Sequence, residues 1–333
     1  MEYLSELLLF AGKTLVIVAS IMVVLGFIAS MAMKGRQEGH LKIENLNKKY
    51  QSFAKSLKSF ILSKKDLKHF LKKEKKSLKD QKKKTSIKKK IYVLEFKGDI
   101  KASSVESLGE EVTAILTAAN RGDEVVLCLE SPGGVVHGYG LAAAQLLRIK
   151  EHGITLTVCV DKVAASGGYM MACVADKVCA APFAILGSVG VLAQVPNFHR
   201  FLKKHDVDYK EVTAGEFKRT VSLFGEITPE GEKKFREQIE DTHALFKEFV
   251  KNNRPQVEVE KIATGEYWFA ARAKDLALVD ELVTSQEYLF QKRNEADIYK
   301  VQLIHKKKVL EKVSEAIQKG VSQSFEKFWS RTL

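Results

Sequence analysis

Along this chain the spacing of apolar residues changes character from one stretch to the next. Thr14–Met33 is an uncharged run of 20 residues rich in Leu, Val, Ile, Met and Ala. That matches the ~20 apolar positions a helix needs to cross ~30 Å of hydrocarbon, and exceeds the ~7–15-residue core of a cleaved signal peptide. Glu2 and Glu6 stand where a signal peptide would carry basic residues, so an uncleaved membrane anchor over 1–33 is predicted. Next, Leu46, Tyr50, Phe53, Leu57, Phe60, Leu67, Leu71 and Leu78 recur at steps of four and three, with Lys64 and Glu74 completing the register. Such spacing predicts a helical stalk within 34–90, with an apolar stripe on a lysine-covered surface.

From residue 91 the rhythm alternates. Ile91–Phe96, Glu124–Glu130 and Ile154–Val160 read as strands, and Val105–Ala119 and Gly138–Lys150 as helices. Strand–helix alternation predicts an α/β domain over 91–305 with a largely parallel sheet, whose functional groups belong at the carboxyl ends of the strands. A second uncharged stretch, Val178–Phe198, contains Pro182, Gly187, Gly190, Gln194 and Pro196. Those residues suit buried strand and loop rather than a spanning helix, so 178–198 is expected to be core. The last segment, 306–333, sets Val309, Leu310, Val313, Ile317, Val321, Phe325, Phe328 and Trp329 on one face of an amphipathic helix.

Charge changes how the whole is read. The chain has a formal net charge of +13, which at face value suggests nucleic acid or anionic lipid as a partner. Residues 34–90 alone, however, hold 21 Lys/Arg and five Asp/Glu, a net of +16, whereas 91–333 is close to neutral. No nucleic-acid-binding fold surrounds the basic stretch, and none is expected to bind there. The stalk reads either as a membrane-surface or self-associating helix, or as a solvated spacer ending in a lysine run.

Other chemistries find no support. Cys128, Cys159, Cys173 and Cys179 lie in apolar segments without CxxC spacing, as small buried hydrophobes do. The eight histidines form no HExxH-like pair, so no metal is expected. Gly133 and Gly138 have P-loop spacing, but Tyr139 and Gly140 stand where Lys and Ser/Thr are needed. No cofactor is expected either.

Two strand ends stand out. Ser131-Pro132-Gly133-Gly134 follows the second strand, and adjacent glycines let bare amides face a carbonyl or anion, although this is also an ordinary turn. Ala164-Ala165-Ser166-Gly167-Gly168 follows the third and sets a hydroxyl among small residues at a strand-to-helix turn. It lacks the GxSxG elbow, and alone is more often a packing turn. A serine nucleophile needs a base. His137 is near the paired glycines, and Lys218 sits among Phe217, Val221, Leu223 and Phe224, beside Arg219. Burial and a like charge would depress a lysine from ~10.4 towards ~7–8. The residues alone leave the choice open.

Taken together, Ser131-Pro132-Gly133-Gly134, Ala164-Ala165-Ser166-Gly167-Gly168-Tyr169, Gly187-Ser188-Val189-Gly190 and Phe217-Lys218-Arg219-Thr220 resemble the signal peptide peptidase A family of serine–lysine proteases. The likeness covers roughly 91–285. It implies a crotonase/Clp-protease-like fold, Ser166 as nucleophile, Lys218 as general base and Ser188 orienting the lysine. Gly133 or Gly134, with the Gly167 amide, would form the oxyanion hole. Ser166 and Lys218 bracket 178–198, so a single membrane crossing there would separate them.

The expectation is therefore a membrane-anchored serine endopeptidase acting on peptides such as signal-peptide remnants or membrane-protein fragments. Its partners would be peptide substrates, the lipid bilayer of a bacterial plasma membrane and further copies of itself. The dyad would form within one chain or across two. A crotonase-like thioester enzyme and a non-catalytic membrane scaffold are the alternatives. Five Lys/Arg in residues 34–54 place the domain in the cytoplasm by the positive-inside rule, whereas the resemblance implies the periplasmic face.

Overall fold

The computed structural model describes residues 39–83 and 88–304, with Phe10, Lys13, Thr14, Val18 and Ser20. The C-terminal amphipathic helix and nearly all of the predicted anchor lie outside the described residues. Among the described residues no helix is long and apolar enough to cross a membrane. The chain divides into a main unit, Ile43–Gln302, and a second made of Met1–Lys42 and Leu303–Leu333. All the candidate site residues belong to the main unit.

β1 (His40–Asn45) leads into α1 (Leu46–Ile61) and α2 (Lys64–Lys83). Asn45 caps α1 by accepting from the Lys48 N–H at 2.9 Å, and Ser63 accepts from the Asp66 N–H at the start of α2. Strands and helices then alternate: β2 (Lys89–Lys97), α3 (Val105–Ala118), β3 (Glu124–Glu130), α4 (Val136–Glu151), β4 (Thr155–Val160), β5 (Val163–Ala165), α5 (Gly167–Ala172), β6 (Lys177–Ala180) and β7 (Ile185–Gly187). After α6 (His199–Lys204) an irregular stretch reaches α7 (Pro229–Asn253), followed by α8 (Val259–Ile262) and β8 (Tyr267–Phe269). Last come α9 (Ala270–Ala273), β9 (Glu281–Leu282), α10 (Ser285–Lys292) and β10 (Ala296–Ile304).

The three strands and two helices expected from residue 91 onward form within two residues of their predicted bounds, and the sheet is mainly parallel as anticipated. Seven strands run in the order β1-β10-β2-β3-β4-β6-β9, and each pairing from β10 to β9 is parallel. Period-2 alternation explains why these strands are apolar nearly throughout, since both faces are covered. Tyr92, Leu94 and Phe96 join Val125, Leu127 and Leu129 in the core that also holds the buried faces of α3, α4 and α5. Ile91, Val93, Val126 and Cys159 face the other way, towards Leu46 of α1 and Tyr288 and Leu289 of α10. The stalk stripe thus begins inside the main unit, with Leu46 buried and Tyr50 edge-on to Phe290 at 5.8 Å.

A second, three-stranded sheet has the order β5-β7-β8, with β5 and β7 parallel and β7 and β8 antiparallel. These short strands carry the turns of the site. The reading of 178–198 as core holds to Gly190 except at the exposed Pro182-Phe183 turn. Beyond Gly190, residues 192–198 are exposed, Leu192 at 78%. Apolar composition is the same for a core strand and for a surface awaiting a partner, which is why composition alone misplaced this half.

Candidate active site

The register of β5 on β7 builds the site. Ala165 pairs with Gly187, and the Ser166 N–H donates to the Gly187 carbonyl at 2.8 Å, so Ser166 and Ser188 leave the small sheet side by side. Both have positive φ, 52° at Ser166 and 53° at Ser188. For a residue with a Cβ this conformation is strained, and it persists only where the surroundings enforce it. Ser166, with ψ −120°, is the residue immediately before α5, and its side chain caps nothing. Among the described residues its hydroxyl has no hydrogen-bond partner.

The paired glycines pack directly against that turn. Gly133 has φ 90°, and a Cβ there would sit 2.7 Å from Ser166 Cβ and 2.8 Å from the Gly167 nitrogen. A Cβ on Gly134 would fall 2.1 Å from the Ile100 carbonyl oxygen. Glycine is needed at both positions because backbone approaches backbone. Ser131 sutures the two turns: its N–H donates to the Val163 carbonyl at 2.8 Å, and its carbonyl accepts from the Ala165 N–H at 3.0 Å.

The amides divide by use. The Gly133 N–H turns inward and donates to Ser131 Oγ at 3.1 Å. Among the described residues the Gly134 N–H has no partner, and Gly167, first in α5, has no intrahelical acceptor. Ser131 Oγ lies 2.6 Å from Tyr139 Oη, which donates to the Asp99 carbonyl at 2.8 Å. Burial raises the Tyr139 phenol above its ordinary pKa, so it stays a neutral donor. Sequence reasoning passed over Ser131 and Tyr139 as separate chemistry. A tyrosine between two glycines, predicted to lie inside a domain, was the available signal, because a buried phenol needs a partner.

Lys218 is placed differently. It lies in the irregular stretch before α7, exposed, and among the described residues its ammonium makes no hydrogen bond or ion pair. Arg219, expected to repel it, is paired with Glu211 at 3.1 Å, and Phe217 lies under the Lys234 ammonium. The stretch is anchored at both ends. Asn197 Nδ2 donates to the Ser222 and Gly225 carbonyls, and Thr228 caps α7 by accepting from the Gly231 N–H. Ser166, Ser188, Gly133, Gly134 and Gly167 are thus assembled together, and Lys218 is joined to none of them by a hydrogen bond. His137, the other candidate base, is exposed at the start of α4. A cavity of about 730 Å³ on the opposite face of the large sheet, lined by Tyr50, Cys128, Ser285 and Phe290, includes none of the site residues.

The turn after β3 of the parallel sheet thus brings a free glycine amide against the strained serine that ends β5 of the small sheet, the kinds of group that acyl transfer uses. Residues 2–146 match the N-terminal region of peptidase family S49, and residues 148–299 match peptidase family S49 itself. The chain is 57% identical over 225 residues to the "Probable protease SohB" of Haemophilus influenzae, covering 68% of this chain and 64% of that one. It is 49% identical over 242 residues to the protein of the same name from Buchnera aphidicola subsp. Acyrthosiphon pisum, covering 73% and 72%. The chain belongs to peptidase family S49. It spans just under two thirds of the Haemophilus relative's length. A membrane-bound stomatin-specific protease, 1510-N, solved with a substrate peptide, overlaps 69% of this chain and 98% of its own at 13% identity and TM-score 0.42.

Proposed function

We propose that the chain is a serine endopeptidase with Ser166 as nucleophile and Lys218 as general base. The single observation that carries this reading is the positive-φ Ser166, its hydroxyl unengaged, held against Gly133 with the Gly134 and Gly167 amides free. A neutral Lys218 amine takes the proton from Ser166 Oγ as the oxygen attacks the scissile carbonyl carbon. The Gly134 and Gly167 amides hold the resulting oxyanion, a contribution of about 3–4 kcal/mol per donor in such sites. Collapse breaks the C–N bond, Lys218 returns its proton to the leaving amine, and water then hydrolyses the acyl-enzyme. Ser188, beside Ser166 in register, orients the lysine. The framework is read as crotonase-like.

The exposure of Lys218 supports a base supplied by a second copy. Lys218 is exposed in one chain, and a working lysine base needs burial. The stretch around Lys218 exposes Val207, Val212, Phe217 and Phe224, apolar surface that a second copy would cover while burying the lysine. The enzyme is read as a homo-oligomer held at the bacterial plasma membrane by Thr14–Met33, cutting peptides such as signal-peptide remnants or membrane-protein fragments.

Covalent labelling tests this. A fluorophosphonate should modify Ser166, found by peptide mapping, and Ser166→Ala and Lys218→Ala should each silence peptide hydrolysis in a folded protein. Activity retained in either variant removes that residue from the mechanism. The unpaired state of Lys218 within one chain favours a second reading, a crotonase-like thioester enzyme using only the amides; absence of labelling at Ser166 with thioester turnover intact would select it.

A further inference from the structure

We propose that Ser131 and Tyr139 are positioning residues that hold the oxyanion amides in place, an inference that rests on the Ser166 reading above. The hydrogen bonds permit one direction of donation. The Asp99 carbonyl can only accept, so the Tyr139 proton is committed to it at 2.8 Å. Tyr139 Oη must then accept from the Ser131 hydroxyl at 2.6 Å. Ser131 Oγ is left with its lone pairs for the Gly133 N–H at 3.1 Å. The chain therefore runs from the Gly133 amide through two hydroxyls to a backbone carbonyl, with every proton assigned. Ser131 and Tyr139 are both fully buried, and a Cβ on Gly98 would fall 2.3 Å from each hydroxyl oxygen, so the relay is packed against backbone on that side.

Two consequences follow for the site. Anchoring the Gly133 amide fixes the entry to the glycine pair, one residue before the Gly134 N–H, the free donor of the pair. The Tyr139 ring also seats the other donor, since a Cβ on Gly167 would lie 2.4 Å from Tyr139 Cγ. One side chain thus bears on both amides. Ser131 completes the link, because its backbone is hydrogen-bonded to Val163 and Ala165, the strand that delivers Ser166.

Tyr139→Phe keeps the ring against Gly167 and removes only the end of the relay; Ser131→Ala removes the acceptor of the Gly133 amide. Each should lower kcat by about tenfold or more while KM stays within about twofold, because the donors act on the transition state. Affinity for a peptide boronate, which places an oxygen among those donors, should fall by a similar factor. The double variant should lose no more than the worse single one, as members of one network do. Circular dichroism and thermal melts confirm folding, and either folded variant suffices. A kcat within about twofold of the parent, a loss confined to KM, or additive losses would overturn the relay. Parent hydrolysis that survives Ser166→Ala would instead bring down the nucleophile reading and this inference together.

Discussion

The two halves of the candidate dyad sit in contrasting surroundings. Around Ser166 the chain is over-determined: β5 and β7 in register, a positive φ, and glycines whose every added atom would collide. Around Lys218 it is under-determined: no regular element from His205 to Thr228, side chains in water, and Val212 83% exposed. Strained serines persist where packing leaves no alternative, so on the proposed reading the nucleophile and oxyanion side would need nothing from a second chain. The base side is a charged stretch that nonetheless exposes Val207, Val212, Phe217 and Phe224, apolar surface of the kind the proposed second copy would cover.

That contrast can be broken from either side. Ser166→Ala should reduce kcat by roughly 10⁶-fold, as loss of a nucleophile does, leaving the fold intact. Gly133→Ala adds a Cβ 2.7 Å from Ser166 Cβ at φ 90°; hydrolysis should fall by about 10²-fold or more, with a cost of about 1–3 kcal/mol on thermal unfolding. A charge on the exposed stretch works the other way. Val212→Asp should change monomer stability by less than about 0.5 kcal/mol, since surface substitutions seldom do more, yet dissociate the assembly and lower activity with it. Analytical ultracentrifugation in detergent and a peptide assay read the two effects; an active monomer would sever the link between that surface and the base.

The smallest expected effect lies far from both halves. Burial disfavours the Glu124 carboxylate, but donation from Tyr288 at 2.7 Å and Thr157 at 2.8 Å, with Lys89 alongside, holds its pKa below the ordinary 4.5. A depressed carboxyl stabilises the fold above its unfolded pKa and loses that contribution as pH falls through its folded value. Tyr288→Phe should therefore cost about 1–2 kcal/mol at neutral pH, less in acid, with peptide hydrolysis unchanged. A loss independent of pH would mean that packing, not the carboxylate, is what Tyr288 supports.

Much of the fold was legible because doubly covered parallel strands are apolar almost without interruption, as in Val125–Leu129 and Leu156–Val160. The serine turn was legible through its run of small residues. Backbone conformation was not: nothing in Gly187-Ser188-Val189-Gly190 announces a positive φ at Ser188 or the register that brings it beside Ser166. Tyr139 was read only as a residue that spoils a P-loop, since its partners Asp99 and Ser131 lie 40 and eight positions away. Residues 192–198 were misread as core, because hydrophobicity does not say whether the covering surface is in the same chain.

The most direct test of the divided dyad mixes two silent proteins. Ser166→Ala keeps a good base and Lys218→Ala a good nucleophile, so co-assembled chains would bring an intact serine and an intact lysine together wherever one copy completes the other. Dissociating the two purified variants, mixing them and reassembling them should restore a substantial fraction of parental peptide hydrolysis. A mixed assembly that stays silent, while parental chains treated in the same way regain full activity, would contradict a base supplied by the second copy.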